Sequence, residues 1–450
     1  MQPALPPPIE DLDSLLAPLY AACKPRARWR VGTEAEKFGV DAATGRPAAY
    51  DGTHGVRAIL QQLVTRHGWF EEREYAGGDV IALRRGDASI TLEPGAQLEL
   101  SGAPLGSIHQ TCAELRNHMT ELRDVSEPSN VVWLGLGYHP VATPDQLPWV
   151  PKLRYQVMRE YLPTRGSRAL DMMRRTCTVQ ANLDYSSERD AMRKLRLALA
   201  AQPIVTAMFA NSPFVEGRIG SHCSERAQVW LDVDPDRTGL LPFAWEATAS
   251  FRSYVEWALD VPMFLVKRGE RLYPSAGLTF RRFMHDGWQG LQATLPDWEA
   301  HLNSLFPEVR LKQTLEVRGA DGQSQPMVCA IPALWKGLLY DTPSCEQLER
   351  LVAPLDHDTV QRARPAIARQ GLRAVLAKRP VLEWALQVCE IAVAGLRRQS
   401  HLNRERSDET VHLERVRELL QHGQTPSEAL LAKIDRGHDL IPQVLRLGQV

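Results

Sequence analysis

The stretch from Ser89 to Pro104 alternates between apolar and polar positions. The apolar side chains fall at even numbers: Ile90, Leu92, Ala96, Leu98 and Leu100. The polar ones fall at odd numbers: Ser89, Thr91, Glu93, Gln97, Glu99 and Ser101. Because side chains of a strand point alternately to two faces, this pattern predicts a strand with one buried and one polar face. We expect Pro94-Gly95 to bend this strand without ending it.

Three further segments repeat the arrangement. Residues 29–40 carry Glu34 and Glu36 on one face, residues 176–183 carry Gln180 and Asn182, and residues 310–319 carry Glu316 and Arg318. A single segment of this kind is typical of a half-exposed surface strand. Four of them predict a sheet that collects polar side chains on one concave face.

Helices are predicted where apolar residues recur at helical spacing. The predicted helices span 11–23, 55–68, 108–125, 151–162, 187–209, 380–398 and 425–434. Residues 80–83 lead through a turn at 85–87 into the strand that starts at Ser89. Residues 1–14 are predicted to form a flexible segment. Residues 15–450 show no internal repeat and no clean linker, so they are predicted to form one domain with a helical C-terminal part.

The charge balance excludes a general attraction to polyanions. The chain has 53 basic and 54 acidic residues and a formal net charge of -1, so no global field favours nucleic acid or an anionic membrane. It has no apolar run of the length that a membrane span needs, and its first ten residues lack the pattern of a signal peptide. The 7 cysteines fit neither a disulfide scaffold nor a paired zinc motif. We therefore expect a cytoplasmic protein with neither a nucleic-acid nor a membrane partner, and either a monomer or a weak homodimer.

The polar faces of the four predicted strands suggest metal-assisted chemistry. Together they would gather up to five carboxylates, which is costly unless cations compensate the charge. Such oxygen ligands suit Mg²⁺ or Mn²⁺, ions that commonly bridge carboxylates to nucleotide phosphates. Arg318 would then donate to a transferring phosphoryl group, although a plain surface ion pair with Glu316 is the alternative. No P-loop and no dinucleotide fingerprint occurs in the sequence.

Several motifs resemble the plant and proteobacterial type of glutamate–cysteine ligase. They include Gly-Thr-Glu-Ala-Glu-Lys-Phe-Gly at 32–39 and Leu-Glu-Pro-Gly-Ala-Gln-Leu-Glu-Leu-Ser-Gly-Ala-Pro at 92–104. Another is Asp-Met-Met-Arg-Arg-Thr-Cys-Thr-Val-Gln-Ala-Asn-Leu-Asp at 171–184. The resemblance extends from about Leu15 to the C-terminus. It implies an α+β, glutamine-synthetase-like fold, with a curved antiparallel sheet forming a half-barrel surrounded by helices.

The resemblance also implies an activity, the first step of glutathione biosynthesis. ATP, the co-substrate, phosphorylates the γ-carboxylate of glutamate, and the amine of cysteine then displaces phosphate. The positions that match the family's metal-binding acids, which would bind Mg²⁺ or Mn²⁺, are Glu34, Glu36, Glu93, Glu99 and Glu316.

The remaining matched positions concern the substrates. Glu316 and Arg318 match residues at the phosphoryl group, and Gln180 matches a position lining the same funnel. Arg154 and Arg226 match arginines that bind the α-carboxylate of glutamate. On the residues alone, Arg154 would be a solvated charge on a helix and Arg226 a charge in a loop.

The sequence departs from the family pattern in two places. Ala35 replaces the usual histidine between Glu34 and Glu36, and residues 220–225 replace a more apolar approach to Arg226. Two alternatives to the ligase therefore stay open: a sister γ-glutamyl–amine ligase that takes another amine, and a catalytically silent ligand-binding homologue. Retention of the five acids and three arginines argues against the silent homologue.

The resemblance implies two disulfide positions. Ser275 occupies one, so that bridge cannot form. The other pair survives as Cys112 and Cys329, for which two buried free thiols are the alternative.

Overall fold

The computed structural model describes residues 7–75, 77–268, 271–275 and 277–450. Its strands are β1 Val31–Asp41, β2 Phe70–Arg73, β3 Val80–Arg85, β4 Ala88–Leu92, β5 Leu98–Ser101, β6 Val131–Leu134, β7 Thr178–Leu183, β8 Phe214–Val215, β9 Arg218–Ile219, β10 Thr238–Gly239, β11 Leu265–Arg268, β12 Arg271–Pro274, β13 Phe306–Pro307, β14 Val309–Leu311, β15 Leu315–Asp321, β16 Val375–Leu376 and β17 Arg379–Pro380.

The helices fill most of the sequence between and after these strands. They are α1 Leu12–Ala21, α2 Val56–His67, α3 Ile108–Ser126, α4 Leu153–Tyr161, α5 Ala169–Arg175, α6 Glu188–Met208, α7 Glu225–Val229, α8 Phe251–Asp260, α9 Phe280–Asp286, α10 Leu295–Leu302, α11 Met327–Leu339, α12 Thr342–Val352, α13 His357–Gln370, α14 Val381–Gln399, α15 Glu414–Gln421, α16 Pro426–Leu431 and α17 Leu440–Gly448.

One antiparallel sheet organises the molecule. Its strand order is β14-β15-β7-β1-β5-β4-β3-β2, and β6 pairs with the far end of β1. The four polar-faced segments are therefore neighbours in space, although they are spread over most of the sequence. Strand alternation keeps residues of the same parity on one face of a strand. The apolar odd-numbered positions Ala35, Val179, Ala181 and Val317 are all buried on the face against which α6 and α11 pack.

The segment from Ser89 to Ser101 forms a hairpin and not one bent strand as expected. β4 pairs with β5, with Ile90 opposite Leu100, and the amide of Glu93 donates to the carbonyl of Gln97 at 2.9 Å. Ala96 closes the turn in the left-handed region at φ 64°. Because residues opposite each other in this hairpin have the same parity, the predicted buried and polar faces survive the correction.

The segment at 310–319 is also a hairpin and not a single strand. β14 pairs with β15, and Arg310 lies opposite Glu316. The amide of Lys312 donates to the carbonyl of Thr314 at 2.9 Å to close the turn. The turn holds neither Gly nor Pro, so its residue types gave no signal for it.

The N-terminal segment predicted to be flexible is only partly described. Residues 1–6 lie outside the described residues. Ile9 donates its amide to the carbonyl of Ala293 at 2.9 Å, and the carboxylate of Asp11 caps α1 through the amide of Ser14 at 2.9 Å. Residues 9–11 thus take part in ordered contacts. Among the helices that the structure describes, none has the length and apolar character to cross a membrane.

Cys112 and Cys329 form a disulfide that joins α3 to α11, with the Cα atoms 5.9 Å apart. The bridge closes a loop of 217 residues, which corresponds to about 5 kcal/mol of stabilisation in the chain-entropy model. Both helices lie behind the sheet, so the bridge stabilises the packing of the helices that support it.

Reduction of this disulfide should lower the melting temperature by about 5 °C, because the unfolded chain regains the freedom that the cross-link removes. Scanning calorimetry with and without a reductant measures the shift. Cys112→Ser should abolish the response, and Cys23→Ser, which leaves the bridge intact, should keep it. A wild-type protein whose melting temperature ignores the reductant would contradict a stabilising bridge.

Candidate active site

Carboxylates from adjacent strands meet on the face of the sheet opposite α6 and α11, which we call the site face. The β1–β5 register sets Glu36 opposite Glu99, and the β1–β7 register sets Glu34 opposite Gln180. In antiparallel pairs, side chains of directly opposite residues lie on the same face and close together. The structure thus brings Glu34, Glu36 and Glu99 onto one surface.

These three carboxylates resist ionisation. Burial, followed by the charges of Glu316 and Glu99, raises the pKa of Glu34 to about 8. Burial, with Glu93 and Glu99 nearby, raises the pKa of Glu36 well above its usual value. The pKa of Glu99 is raised by burial and by Glu93. Like charges held together out of water are costly, so the face favours any cation that enters it.

Only a few protein donors compensate these carboxylates. Oε2 of Glu36 accepts from the amide of Thr178 at 2.8 Å. Oε1 of Glu34 accepts from Nδ2 of Asn182 at 2.8 Å. Glu99 accepts from the hydroxyl of Ser101. Each contact is a single hydrogen bond, which leaves carboxylate oxygens available to a ligand.

Glu316 is different because cations surround it. It is fully buried and accepts from Nη2 of Arg310 with both oxygens at 2.8 Å. It also pairs with Arg318, and Nζ of Lys312 lies 3.5 Å away. Burial alone would raise its pKa, yet Arg310, Arg318 and Lys312 together hold the pKa well below its usual range. Glu316 is therefore a fixed anion that orients two arginines.

Arg318 leaves β15 at a bulge. The β15–β7 register shifts between Val317 and Ala320, and such a bulge re-aims the side chain at that position. Nη1 of Arg318 donates to Oε1 of Gln180 at 2.8 Å. The carbonyl of Arg318 accepts from Nη2 of Arg226 at 2.8 Å. The bulge thus connects two of the three predicted arginines directly.

A cavity of about 310 Å³ opens beside the site face. Carboxylates of Glu36 and Glu93 line it, together with Arg154, Arg226 and Arg318. Arg154, near the start of α4, is exposed, whereas Arg226 in α7 is buried. The structure therefore brings both predicted carboxylate-binding arginines to the same cavity, although they lie on separate helices far apart in the sequence.

Gln97 has a structural role in this region. Its Oε1 accepts from the amide of Gly95 at 2.8 Å, and its Nε2 donates to the carbonyl of Thr176 at 3.0 Å. It thus fixes the β4–β5 turn, which carries Glu93, against the start of β7.

The predicted metal acids share the site face without forming a closed set of ligands. Across the described ranges, no group of three or more His, Cys, Asp or Glu side chains is close enough to hold a metal ion. The donor type nevertheless fits, since the oxygens of Glu34, Glu36 and Glu99 are hard ligands short of positive charge.

Comparison with known proteins explains this combination of sheet, acids and arginines. The sequence model that describes glutamate–cysteine ligase family 2 matches residues 30–444. A chloroplastic glutamate–cysteine ligase B of Oryza sativa subsp. japonica is 42% identical over 422 residues, covering 93% of this chain and 83% of the rice protein. The chloroplastic ligase of Nicotiana tabacum is 42% identical over 440 residues, covering 95% and 82%.

The chain belongs to this family. A solved structure, the glutamate–cysteine ligase of Francisella tularensis in complex with AMP, superimposes with a TM-score of 0.53 at 13% identity and covers 93% of this chain and 87% of that one. The likeness bears out the predicted α+β, glutamine-synthetase-like fold.

The cytoplasmic location expected from the sequence is contradicted by these relatives. The rice, tobacco and Arabidopsis thaliana ligases are chloroplastic proteins. The expectation rested on composition and on the lack of secretory features. Neither distinguishes the cytosol from another reducing, non-secretory compartment, so the physical signal for a location was missing.

Three residues around the site were missed from the sequence. Arg310 is the bidentate partner of Glu316; its parity is that of Glu316, but only the turn at Lys312 brings the two residues opposite each other. Lys152 is buried and donates to the carbonyl of Leu92 at 2.7 Å. Burial and the charge of Arg154 lower its pKa to about 8. Trp230 lines the cavity from the end of α7, and no sequence pattern marked it.

Glu34→Gln should stabilise the metal-free protein at pH 8 by about 1–3 °C and have little effect at pH 5. The reason is that the folded state raises the pKa of Glu34 above its unfolded value of 4.5 to about 8. The folded protein therefore binds the proton more tightly, and its stability falls as pH rises from 4.5 to 8. The glutamine has no proton to lose.

Melting temperatures at the two pH values measure this effect. The exposed Glu346→Gln is the matched control and should change neither value. Equal shifts at pH 5 and pH 8 would contradict a raised pKa at Glu34.

Proposed function

We propose that this protein joins the γ-carboxylate of glutamate to the amine of cysteine at the expense of ATP. Membership of the ligase family sets the reaction class. The observation that carries the proposal is the convergence of acids and arginines on the site face and at the 310 Å³ cavity beside it. Acids and arginines that line the same cavity suit a substrate that carries both charges.

Glutamate is placed in this cavity. The α-carboxylate would accept from the guanidinium groups of Arg154 and Arg226, whose planar forks match a carboxylate better than an ammonium group does. The α-ammonium group would then face Glu93 or Glu36. This orientation directs the γ-carboxylate towards Arg318, which is held by Glu316 and Gln180.

We place the phosphates of ATP at the end of the sheet where β1 begins and β5 ends. A cleft there is lined by residues that precede β1 and follow β5 and by side chains of α3 and α11, and its cationic side chains are Arg26, Arg30, Arg116, Lys336 and Arg404. Lys336 is already paired with Glu409 at 2.7 Å, and burial lowers the pKa of His401 and, to about 4, the pKa of His412, so the four arginines carry the local excess of positive charge. Glu405 is the one acid among its described lining residues. In a chain of net charge -1, such a local excess of basic groups favours a polyphosphate.

Mg²⁺ or Mn²⁺ would suit the carboxylates of the site face. The ion would be held by Glu34, Glu36, Glu93, Glu99 and Glu316. The raised pKa values of Glu34 and Glu36 reflect too little positive charge around these two carboxylates. When bound, the ion supplies charge neutralisation to the phosphates.

The side chains of this protein position the substrates and neutralise the charge on the phosphoryl group. A γ-carboxylate oxygen attacks the terminal phosphorus of ATP and ADP leaves, while Arg318 donates to the phosphoryl oxygens. The amine of cysteine then attacks the carbonyl carbon of the acyl phosphate. The C–O bond to phosphate breaks, and the amine loses a proton. No side-chain nucleophile is needed, so Cys177, buried on the opposite face, has no role in this scheme.

Residues 220–225, where the sequence departs from the family pattern, lie outside the described lining of the glutamate cavity. His222 pairs with Glu225 at 2.8 Å, and Ser224 donates to Asp321 at 2.7 Å. The sequence change there therefore gives no reason to expect a different acceptor.

The activity test measures phosphate release and product mass with glutamate, ATP, Mg²⁺ and a panel of amines. The expected product is γ-glutamylcysteine, formed faster than any other γ-glutamyl amide. A faster reaction with a different amine would establish the sister ligase, and no reaction with any amine would establish the silent homologue.

Arg154→Lys and Arg226→Lys should each raise the KM for glutamate about tenfold or more, with a change of less than about twofold for ATP. Arg30→Ala, in the cleft proposed for ATP, should raise the KM for ATP and change the KM for glutamate by less than about twofold. Arg159→Lys, an exposed change in the same helix as Arg154, is the control and should leave both values unchanged. If both lysine variants keep the wild-type KM for glutamate, these arginines do not bind its α-carboxylate.

A further inference from the structure

A second, small cavity lies behind the wall of the glutamate cavity. Its volume is about 40 Å³, and Gln202, Arg226, Trp230, Arg318 and Gly319 line it. Arg226, Trp230, Phe306 and Arg318 line the glutamate cavity as well. These four residues therefore separate the two spaces. One space contacts substrate in the proposed function, and the other reaches back to α6.

Three of the residues that line this space carry buried polar atoms without protein partners. Among the described residues, neither the Oε1 nor the Nε2 atom of Gln202 has a hydrogen-bond partner, and the same holds for Nε of Arg226 and Nε1 of Trp230. Gln202 is only 2% exposed and Arg226 only 4%. Leaving such buried groups unpaired costs about 1–3 kcal/mol each. Four such atoms on three residues that line one small space point to a shared partner.

Water fits the space and the chemistry. One water molecule needs about 10–15 Å³, so the cavity can hold at least one. A water oxygen can accept from Nε of Arg226 and Nε1 of Trp230 while its hydrogen donates to Oε1 of Gln202. We propose that Gln202 is a positioning residue that holds Arg226 and Trp230 in place through ordered water in this cavity.

The side chain of Gln202 lies against the backbone of Gly319 in the β15 bulge. A Cβ atom on Gly319 would lie 2.1 Å from Nε2 of Gln202, so any other residue at this point of the β15 bulge would displace the Gln202 side chain. One helical turn beyond Gln202, Thr206 donates its hydroxyl to the carbonyl of Gly319 at 3.1 Å. Helix α6 thus contacts the bulge at two points, directly behind Arg318.

The bulge connects the contact with Gln202 to the arginine that is proposed to bind glutamate. The carbonyl of Arg318 accepts from Arg226 at 2.8 Å and from the hydroxyl of Thr178 at 3.1 Å. Arg226 is therefore fixed on its Nη2 atom by the bulge and on its Nε atom by the water. Losing the second contact leaves the guanidinium free to tilt, which weakens its bidentate grip on a carboxylate.

The test replaces Gln202 with Met, which keeps the length of the side chain and removes both polar atoms. Resting on the proposed glutamate site, the inference predicts a rise of about three- to tenfold in the KM for glutamate, the size of one lost hydrogen bond. The KM for ATP should change less than about twofold. In an Arg226→Lys background the added Gln202→Met change should have little further effect, because both act on the same contact.

Gln443→Met is the matched control. Gln443 is a buried amide in α17 that donates to the carbonyl of Asp435 at 2.9 Å, so its loss should lower the melting temperature and leave both KM values unchanged. A Gln202→Met enzyme with wild-type glutamate KM, or with equal rises for glutamate and ATP, would overturn the positioning role.

A high-resolution crystal structure tests the water independently of activity. The expected result is a water within about 3.2 Å of Oε1 of Gln202 and Nε of Arg226. Direct pairing of these side chains, or a dry cavity, would overturn the inference. If the wild type makes no γ-glutamyl product but the water is present, the proposed function fails and the positioning of Arg226 stands.

Discussion

The site depends on one electrostatic constraint: several carboxylates are held together on a sheet face that is partly closed to water. Strand pairing imposes this, since Glu36 lies opposite Glu99 and Glu34 opposite Gln180. The repulsion between these carboxylates is compensated unevenly. Glu316 receives Arg310, Arg318 and Lys312, whereas Glu34 and Glu36 receive single hydrogen bonds and have raised pKa values. The uncompensated part is where cationic ligands are favoured.

The arginines follow from the same constraint. Arg318 is drawn to the site face by Glu316, and the bulge that turns it there exposes a carbonyl that Arg226 uses. Acids and arginines thus form one connected network, and a change at the bulge would disturb both substrates. The helices behind the sheet take part as well, because Gly319 lies against Gln202. This short segment of β15 therefore contacts both the proposed substrate-binding arginine Arg226 and the helix that packs behind the sheet.

Residue alternation was sufficient to predict which residues share the site face. It separated Glu34 and Glu36 from Ala35, and Glu316 from Val317, because the period of a strand is independent of its partners. It could not show where a strand ends. The turn between Glu93 and Gln97 contains Pro94-Gly95, a pair that is compatible with a bend as well as with a turn, so it did not decide between them. The turn at Lys312 holds neither glycine nor proline, and local propensities do not reveal it.

The other side of the glutamate cavity could not be predicted from patterns. Arg154 and Arg226 lie on helices far apart in sequence, and each resembles an ordinary surface charge until the fold joins them; only the family motif marked them. Gln202 lies in a buried apolar helix and was invisible to any motif. Long-range packing, which no local pattern encodes, decides these positions.

The central claim is that glutamate is activated by phosphorylation on the site face. The direct measurement uses glutamate labelled with ¹⁸O in its γ-carboxylate, with cysteine, ATP and Mg²⁺, followed by mass analysis of the released phosphate. Attack of the γ-carboxylate on ATP transfers a labelled oxygen to phosphate when cysteine displaces it, so the account predicts labelled phosphate in proportion to γ-glutamylcysteine formed. Product formation with unlabelled phosphate would contradict it.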